Sequence, residues 1–201
     1  MPSPLIHLHL LFEQFTEVTP SLALGAIAPD AIHMRAGNTW ADKAVTHFYE
    51  AADLGYDSAL TLAKSSLTTV SNDFRRGYLF HLYTDYLWRD ELYGPFFHKY
   101  KNTLSRPDLH ALYYKETQAL DQLILKVSPW RDSMAAMLAQ AEAESFELLS
   151  WEEINSWRFK VLKGDLEGVC PKELGLPEIF TLDVFEEFGK LVEGYKKRPK
   201  L

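Results

Sequence analysis

The chain is poor in what builds thiolate cages, membrane spans and nucleic-acid clamps. A single cysteine, Cys170, occurs in 201 residues. No disulfide can close within the chain, and no cysteine cage can hold a metal. Any metal must therefore be bound by nitrogen and oxygen. Long apolar runs are missing too. The longest uncharged stretch, Val18 to Pro29, is interrupted by Pro20 and Gly25 and is too short to cross a bilayer. The opening Met1-Pro2-Ser3-Pro4-Leu5-Ile6-His7 has neither the basic start nor the smooth apolar core of a secretory signal. A cytoplasmic protein without a transmembrane segment is the expectation. Basic charge is in deficit, with 21 Lys and Arg against 28 Asp and Glu and a net charge of −7. That balance argues against broad, sequence-independent binding of duplex nucleic acid, which relies on clustered cations. The one basic cluster, Lys196-Lys197-Arg198-Pro199-Lys200, reads as a solvated end. A small anionic substrate stays compatible, because bound dications reverse the local field.

What is present suffices for a core. Hydrophobic residues make up 47% of the chain and aromatic residues 13%, which fits one folded domain over residues 1–201. The periodicity is helical almost throughout, so the expected architecture is an all-α, multi-helix bundle. Helices are predicted from Pro4 to Thr16, Thr39 to Ala52, Asp57 to Thr69 and Asn72 to Tyr93. Gly94-Pro95 is expected to break or kink the last of these. Pro20 to Asn38 reads as loop with short helical turns. Ser105 before Pro107, Ser128 before Pro129, and the Ser150/Glu153 capping box open three further helices of roughly 20, 20 and 14 residues. Gly164 to Pro177 reads as a loop, and a final helix runs from Leu182 to Tyr195.

Within the fourth predicted helix lies His81-Leu82-Tyr83-Thr84-Asp85. Four-residue spacing stacks imidazole and carboxylate on one face, one turn apart. Such a pair either makes a structural hydrogen bond or grips a metal with two side chains. Gly77 lies one turn earlier, where a missing side chain admits a close neighbour; a glycine inside a helix costs about 1 kcal/mol relative to alanine. Upstream lie His7, Asp30, His33 and His47. His7 falls on an apolar helix, as a core histidine or a ligand, while His9 is rotated away from it. Asp30 sits in the hydrophobic Gly25-Ala26-Ile27-Ala28-Pro29-Asp30, as a helix cap or as a carboxylate with a partner. The aromatics around the pair, Tyr78, Tyr83, Tyr86, Trp88 and Tyr93, either pack helix on helix or line an apolar pocket.

Taken in order, Ser3-Pro4-Leu5-Ile6-His7, the stretch from Leu24 through Asp30 and His33 to Arg35, Lys43 with Thr46-His47-Phe48, and Gly77 through Asp85 resemble the zinc-dependent phospholipase C family in its broad sense. That family includes secreted phospholipases and, more distantly, single-strand nucleases on the same helical scaffold. The match is closest to its compact bacterial branch and covers roughly the first hundred residues. The resemblance implies that Asp30, His47, His81 and Asp85 ligate one metal. It further implies that His7 and Asp85 belong to a second site, with Asp85 bridging. The chain departs from the family pattern downstream. No His-x-x-x-Glu or His-x-x-x-Asp follows residue 85, since His98 is followed by Asn102 and His110 by Tyr114. Glu116 and Asp121 are the candidate substitutes, and a reduced site with one or two ions is expected.

With nitrogen and oxygen ligands only, zinc fits, and manganese or iron are compatible. A metal-activated water would attack a phosphodiester or phospholipid, with Asp30 as general base. His33 would be a ligand or would orient one. Arg35 would clamp a phosphate or stand solvated. The alternative is a non-catalytic helical protein with a structural or vestigial metal site and a protein partner. The absence of a His-Asp dipeptide and of His-x-x-x-His argues against two other helical metal families. Oligomeric state is left open by the pattern.

Overall fold

Burial along the chain explains why helices form where they do. The first, α1 (Pro4–Gln14), is capped by the Ser3 hydroxyl and carries Leu5, Ile6, Leu8, Leu10 and Leu11 inside. A helix apolar on nearly all sides belongs in the middle of a bundle. Here α1 packs against α6 (Asn72–Trp88), α8 (Arg106–Val127), α9 (Arg131–Gln140) and α11 (Leu182–Val192). The remaining helices are α2 (Pro20–Gly25), α3 (Trp40–Thr46), α4 (Tyr49–Ala52), α5 (Tyr56–Ser66), α7 (Gly94–Tyr100) and α10 (Trp151–Lys160). A 3₁₀ segment covers Ala28–Met34, and another, Glu193–Lys197, follows α11. This computed structural model describes residues 2–168 and 174–197. Cys170 and Arg198-Pro199-Lys200 lie outside them. Among the described residues the fold is all-α, with one isolated bridge between Phe146 and Leu149. None of the described helices is long and apolar enough to cross a membrane.

Several boundaries differ from the sequence expectation, each for a tertiary reason. Pro20 to Asn38 does hold the short helical turns expected of it, α2 capped by Thr19 and then the 3₁₀ segment, whereas the following boundaries move. The predicted helix Thr39–Ala52 divides in two at Phe48, which adopts a left-handed φ of 52°. Gly94-Pro95 does not end the helical run. A π-turn over Arg89–Tyr93 precedes it, and the Gly94 N–H reaches the Arg89 carbonyl five residues back. The wider turn makes room for the proline ring. The helix expected from Ser128 starts after Trp130 and stops at Gln140. There the Arg158 guanidinium donates to the carbonyls of Leu138, Ala139 and Ala141, occupying acceptors a further turn would use. Helical winding also continues past α10 through a π-turn over Val161–Leu166, so the predicted loop from Gly164 begins later.

The crossing of α2 on α6 sets the position of the site. Gly25 and Gly77 face one another there. A Cβ on Gly77 would lie 2.2 Å from the Leu22 carbonyl oxygen, and one on Gly25 would lie 2.1 Å from that of Phe74. Both obstacles are backbone and cannot swing aside, which settles Gly77 as a close-packing position. Gly77→Ala should therefore cost about 3 kcal/mol. In urea unfolding the midpoint should fall at unchanged m-value. A midpoint within error of wild type would show that the two helices are not in backbone contact.

Candidate metal centre

Four elements deliver five ionisable side chains to one point. α1 brings His7, the 3₁₀ segment brings Asp30, the end of α3 brings His47, and α6 brings His81 and Asp85. His7, His47 and His81 are fully buried; Asp85 is 1% and Asp30 6% exposed. The ligand atoms of His7, His81 and Asp85 all lie within 4.8 Å of one another, as do those of Asp30, His47 and His81. Asp85 is the hub: Oδ1 is 3.3 Å from His7 Nε2, while Oδ2 is 3.5 Å from His47 Nε2 and 3.8 Å from His81 Nε2. The His7 and His81 rings stack at 3.8 Å, and those of His47 and His81 meet edge to face at 5.4 Å.

The backbone fixes which nitrogens face inward. His81 Nδ1 lies 2.8 Å from the Ala26 carbonyl, freed at the end of α2. His47 Nδ1 lies 3.0 Å from the Lys43 carbonyl. A carbonyl can only accept, so each Nδ1 donates to its carbonyl and each Nε2 is the nitrogen left facing the centre. This arrangement orients metal-binding imidazoles in general. Among the described residues, His7 Nδ1 and Nε2, His47 Nε2, His81 Nε2 and both Asp85 oxygens have no hydrogen-bond partner. Buried polar atoms left unpaired cost about 1–3 kcal/mol each, and a cation held among them would satisfy several at once. A metal ion fits this donor set, which is nitrogen and oxygen alone.

Electrostatics point the same way. Burial lowers the His81 pKa to about 3, a shift reinforced by His7, so that imidazole is neutral near pH 7. Burial opposes the charge on Asp85, but the imidazoles of His81, His7 and His47 outweigh it and hold the carboxyl below the usual range. Asp30 is likewise opposed by burial and likewise held well below the usual range, chiefly by Lys43 and His47.

The break at Phe48 is held from α6. Tyr78 donates to the Thr46 carbonyl at 2.7 Å, and Tyr86 donates to the His47 carbonyl at 2.7 Å. These two tyrosines thus anchor the strained turn rather than line a pocket. Trp88 Nε1 donates to the Tyr113 hydroxyl at 2.9 Å, also in the core. Tyr86→Phe should cost about 1–3 kcal/mol by orphaning that carbonyl. It should also weaken zinc binding about 10-fold by loosening His47. Unfolding and zinc titration of the variant check both, and unchanged zinc affinity would separate the turn from the site.

Other sequence candidates fall elsewhere. His33 Nε2 is 3.7 Å from Asp30 Oδ1, but the side chain is 40% exposed, at the rim of the centre. Glu116 is buried and accepts the backbone N–H groups of Glu178 and Ile179 at 2.8 and 2.7 Å, which commits it to holding that loop. Asp121 accepts from the Ser3 hydroxyl at 2.5 Å, and burial pushes its pKa up to about 7. Neither belongs to the two ligand groups. Arg35 does not reach into the centre; it pairs with Glu153 at 2.6 Å and donates to the Leu148 carbonyl at 2.9 Å. His9, as expected, faces away, toward Ser128 and Glu13.

One participant was not singled out for a role by the sequence. Lys43 Nζ lies 2.9 Å from Asp30 Oδ1, with its side chain 13% exposed. Its signal is the four-residue spacing to His47, which puts both on the inner face of α3. Comparison with family models, with curated proteins and with solved structures finds no match to this chain, so the reading of the centre rests on its own geometry.

Proposed function

We propose that the chain is a metal-dependent hydrolase of phosphodiester or phospholipid bonds, with a centre of the zinc phospholipase C type. The observation that carries this reading is the set of buried, inward-facing nitrogens and oxygens of His7, His47, His81 and Asp85 that make no hydrogen bond. His7, His81 and Asp85 would hold the metal, with His47 and Asp30 alongside. Zinc suits the donor set best. A bound dication supplies Lewis acidity and a water of lowered pKa. The chain's own residues do the rest. Lys43 offers a fixed cation beside Asp30 for an anionic group. Asp30, ion-paired and held ionised, is a weak base and is better suited to positioning than to the base role expected of it. His33 is the better proton acceptor: it is exposed at the rim, and burial lowers its pKa so that the ring is neutral near pH 7.

The second reading, a closed structural metal site, is favoured by one observation, the near-complete burial of the four inner ligands. Hydrolysis of bis(p-nitrophenyl) phosphate and of short-chain phosphatidylcholine by zinc-loaded protein separates the two. Turnover that is lost in Asp85→Asn supports the hydrolase. Stoichiometric zinc with no turnover on either substrate selects the structural site.

A further inference from the structure

The two ligand groups cannot be filled independently. Both draw on His81, which has a single lone pair, on Nε2, once Nδ1 is committed to the Ala26 carbonyl. A second ion on Asp30 and His47 would therefore have to take His33 as its third ligand. One imidazole nitrogen serves one ion. The two groups also differ in what already faces them. Among the described residues no atom of the His7, His81 and Asp85 group forms an ion pair with a lysine. In the other group Asp30 Oδ1 faces His47 Nε2 at 3.4 Å and His33 Nε2 at 3.7 Å, yet the same oxygen already holds the Lys43 ammonium at 2.9 Å. A dication on that oxygen would sit within a few ångströms of a mostly covered positive charge, where screening is reduced and repulsion large.

Charge balance leads to the same division. The centre contains two carboxylates, Asp30 and Asp85, and one ammonium. One dication leaves a single net positive charge on this group, and a second dication would leave three in a largely buried site. Such an excess is not sustained in a buried setting.

We infer that Lys43 holds the place of a second metal ion: the wild-type centre takes one dication, on His7, His81 and Asp85, while the Asp30 and His47 half is reserved for the lysine. This inference rests on the metal-centre reading above and fixes its stoichiometry. It also predicts what the chain becomes without the lysine charge. Asp30, His47 and the rim residue His33 then form a vacant nitrogen and oxygen set, with Asp85 Oδ2 at 3.5 Å from His47 Nε2 able to bridge.

The test is a zinc titration of metal-free wild-type, Lys43→Arg, Lys43→Met and Lys43→Gln proteins, with bound zinc counted by plasma mass spectrometry after gel filtration. Near-UV circular dichroism establishes that each is folded. Lys43→Gln keeps an N–H donor for Asp30 without the charge, so it carries the same expectation as Lys43→Met if that variant fails to fold. About one equivalent is expected for wild type and Lys43→Arg, and about two for the neutral variants. The extra equivalent should vanish when Asp30→Asn is added. Two equivalents in wild type, or one in both neutral variants, would overturn the role of Lys43 while leaving the metal centre standing. Wild type that takes up no zinc would remove both.

Discussion

Asp85→Asn is expected to abolish the stabilisation that zinc confers on this protein. Asp85 lies in contact range of His7, His47 and His81 at once, and an amide in its place removes the charge that neutralises the ion. A ligand present at a thousand times its dissociation constant stabilises the folded state by about 4 kcal/mol. In a chain of this size that is a rise in Tm of about 10 °C. Metal-free wild type should show a rise of that order on adding zinc, read by differential scanning fluorimetry. Asp85→Asn should show a rise of no more than about 1 °C at the same zinc concentration. A variant that responds like wild type would mean that zinc binds somewhere other than this centre.

Acid should destabilise the metal-free protein well before its carboxylates titrate. His81 has a pKa near 3 when folded, against 6.5 unexposed to burial. Below pH 6.5 the unfolded chain therefore binds a proton that the folded chain refuses, and stability is lost as pH falls from about 6.5 towards 3. At about 1.4 kcal/mol per pH unit the loss has an upper bound of about 5 kcal/mol. Asp85 and Asp30, both held below the usual range, add to the loss below about pH 4, in the same direction. Urea midpoints measured from pH 7.5 to 4.5 should fall steadily in metal-free wild type and more gently in His81→Gln. Equal slopes would mean that His81 is not the group being desolvated.

How much of this could be read in the sequence depends on whether the cause is local. The His81/Asp85 pair was legible because helical spacing alone stacks two residues four apart. Gly77 was legible as a close-approach position for the same reason, although the partner, the α2 backbone at Leu22, was not. Caps at Ser105 and Ser150 are set by side chains three residues from the groups they satisfy, and the structure has them where expected. Their local signals sufficed.

What stayed hidden is held from a distance. The left-handed Phe48 has no glycine to announce it; hydroxyls of Tyr78 and Tyr86, more than thirty residues away, hold the carbonyls that the break exposes. The early end of α9 depends on Arg158, which lies on α10. Glu116 and Asp121 looked available as ligands because sequence cannot tell that Ile179 and Ser3 already occupy them. Lys43 stood among the matching residues without a role, because only the fold places its ammonium on Asp30.

The most direct measurement is the metal content of untagged wild-type protein as isolated, by plasma mass spectrometry, beside Asp85→Asn prepared in the same way. About one equivalent of zinc or a similar transition ion in wild type, and none in the variant, is the expected result. Wild-type protein that is folded, metal-free and unable to take up added zinc would contradict a metal centre built from His7, His81 and Asp85.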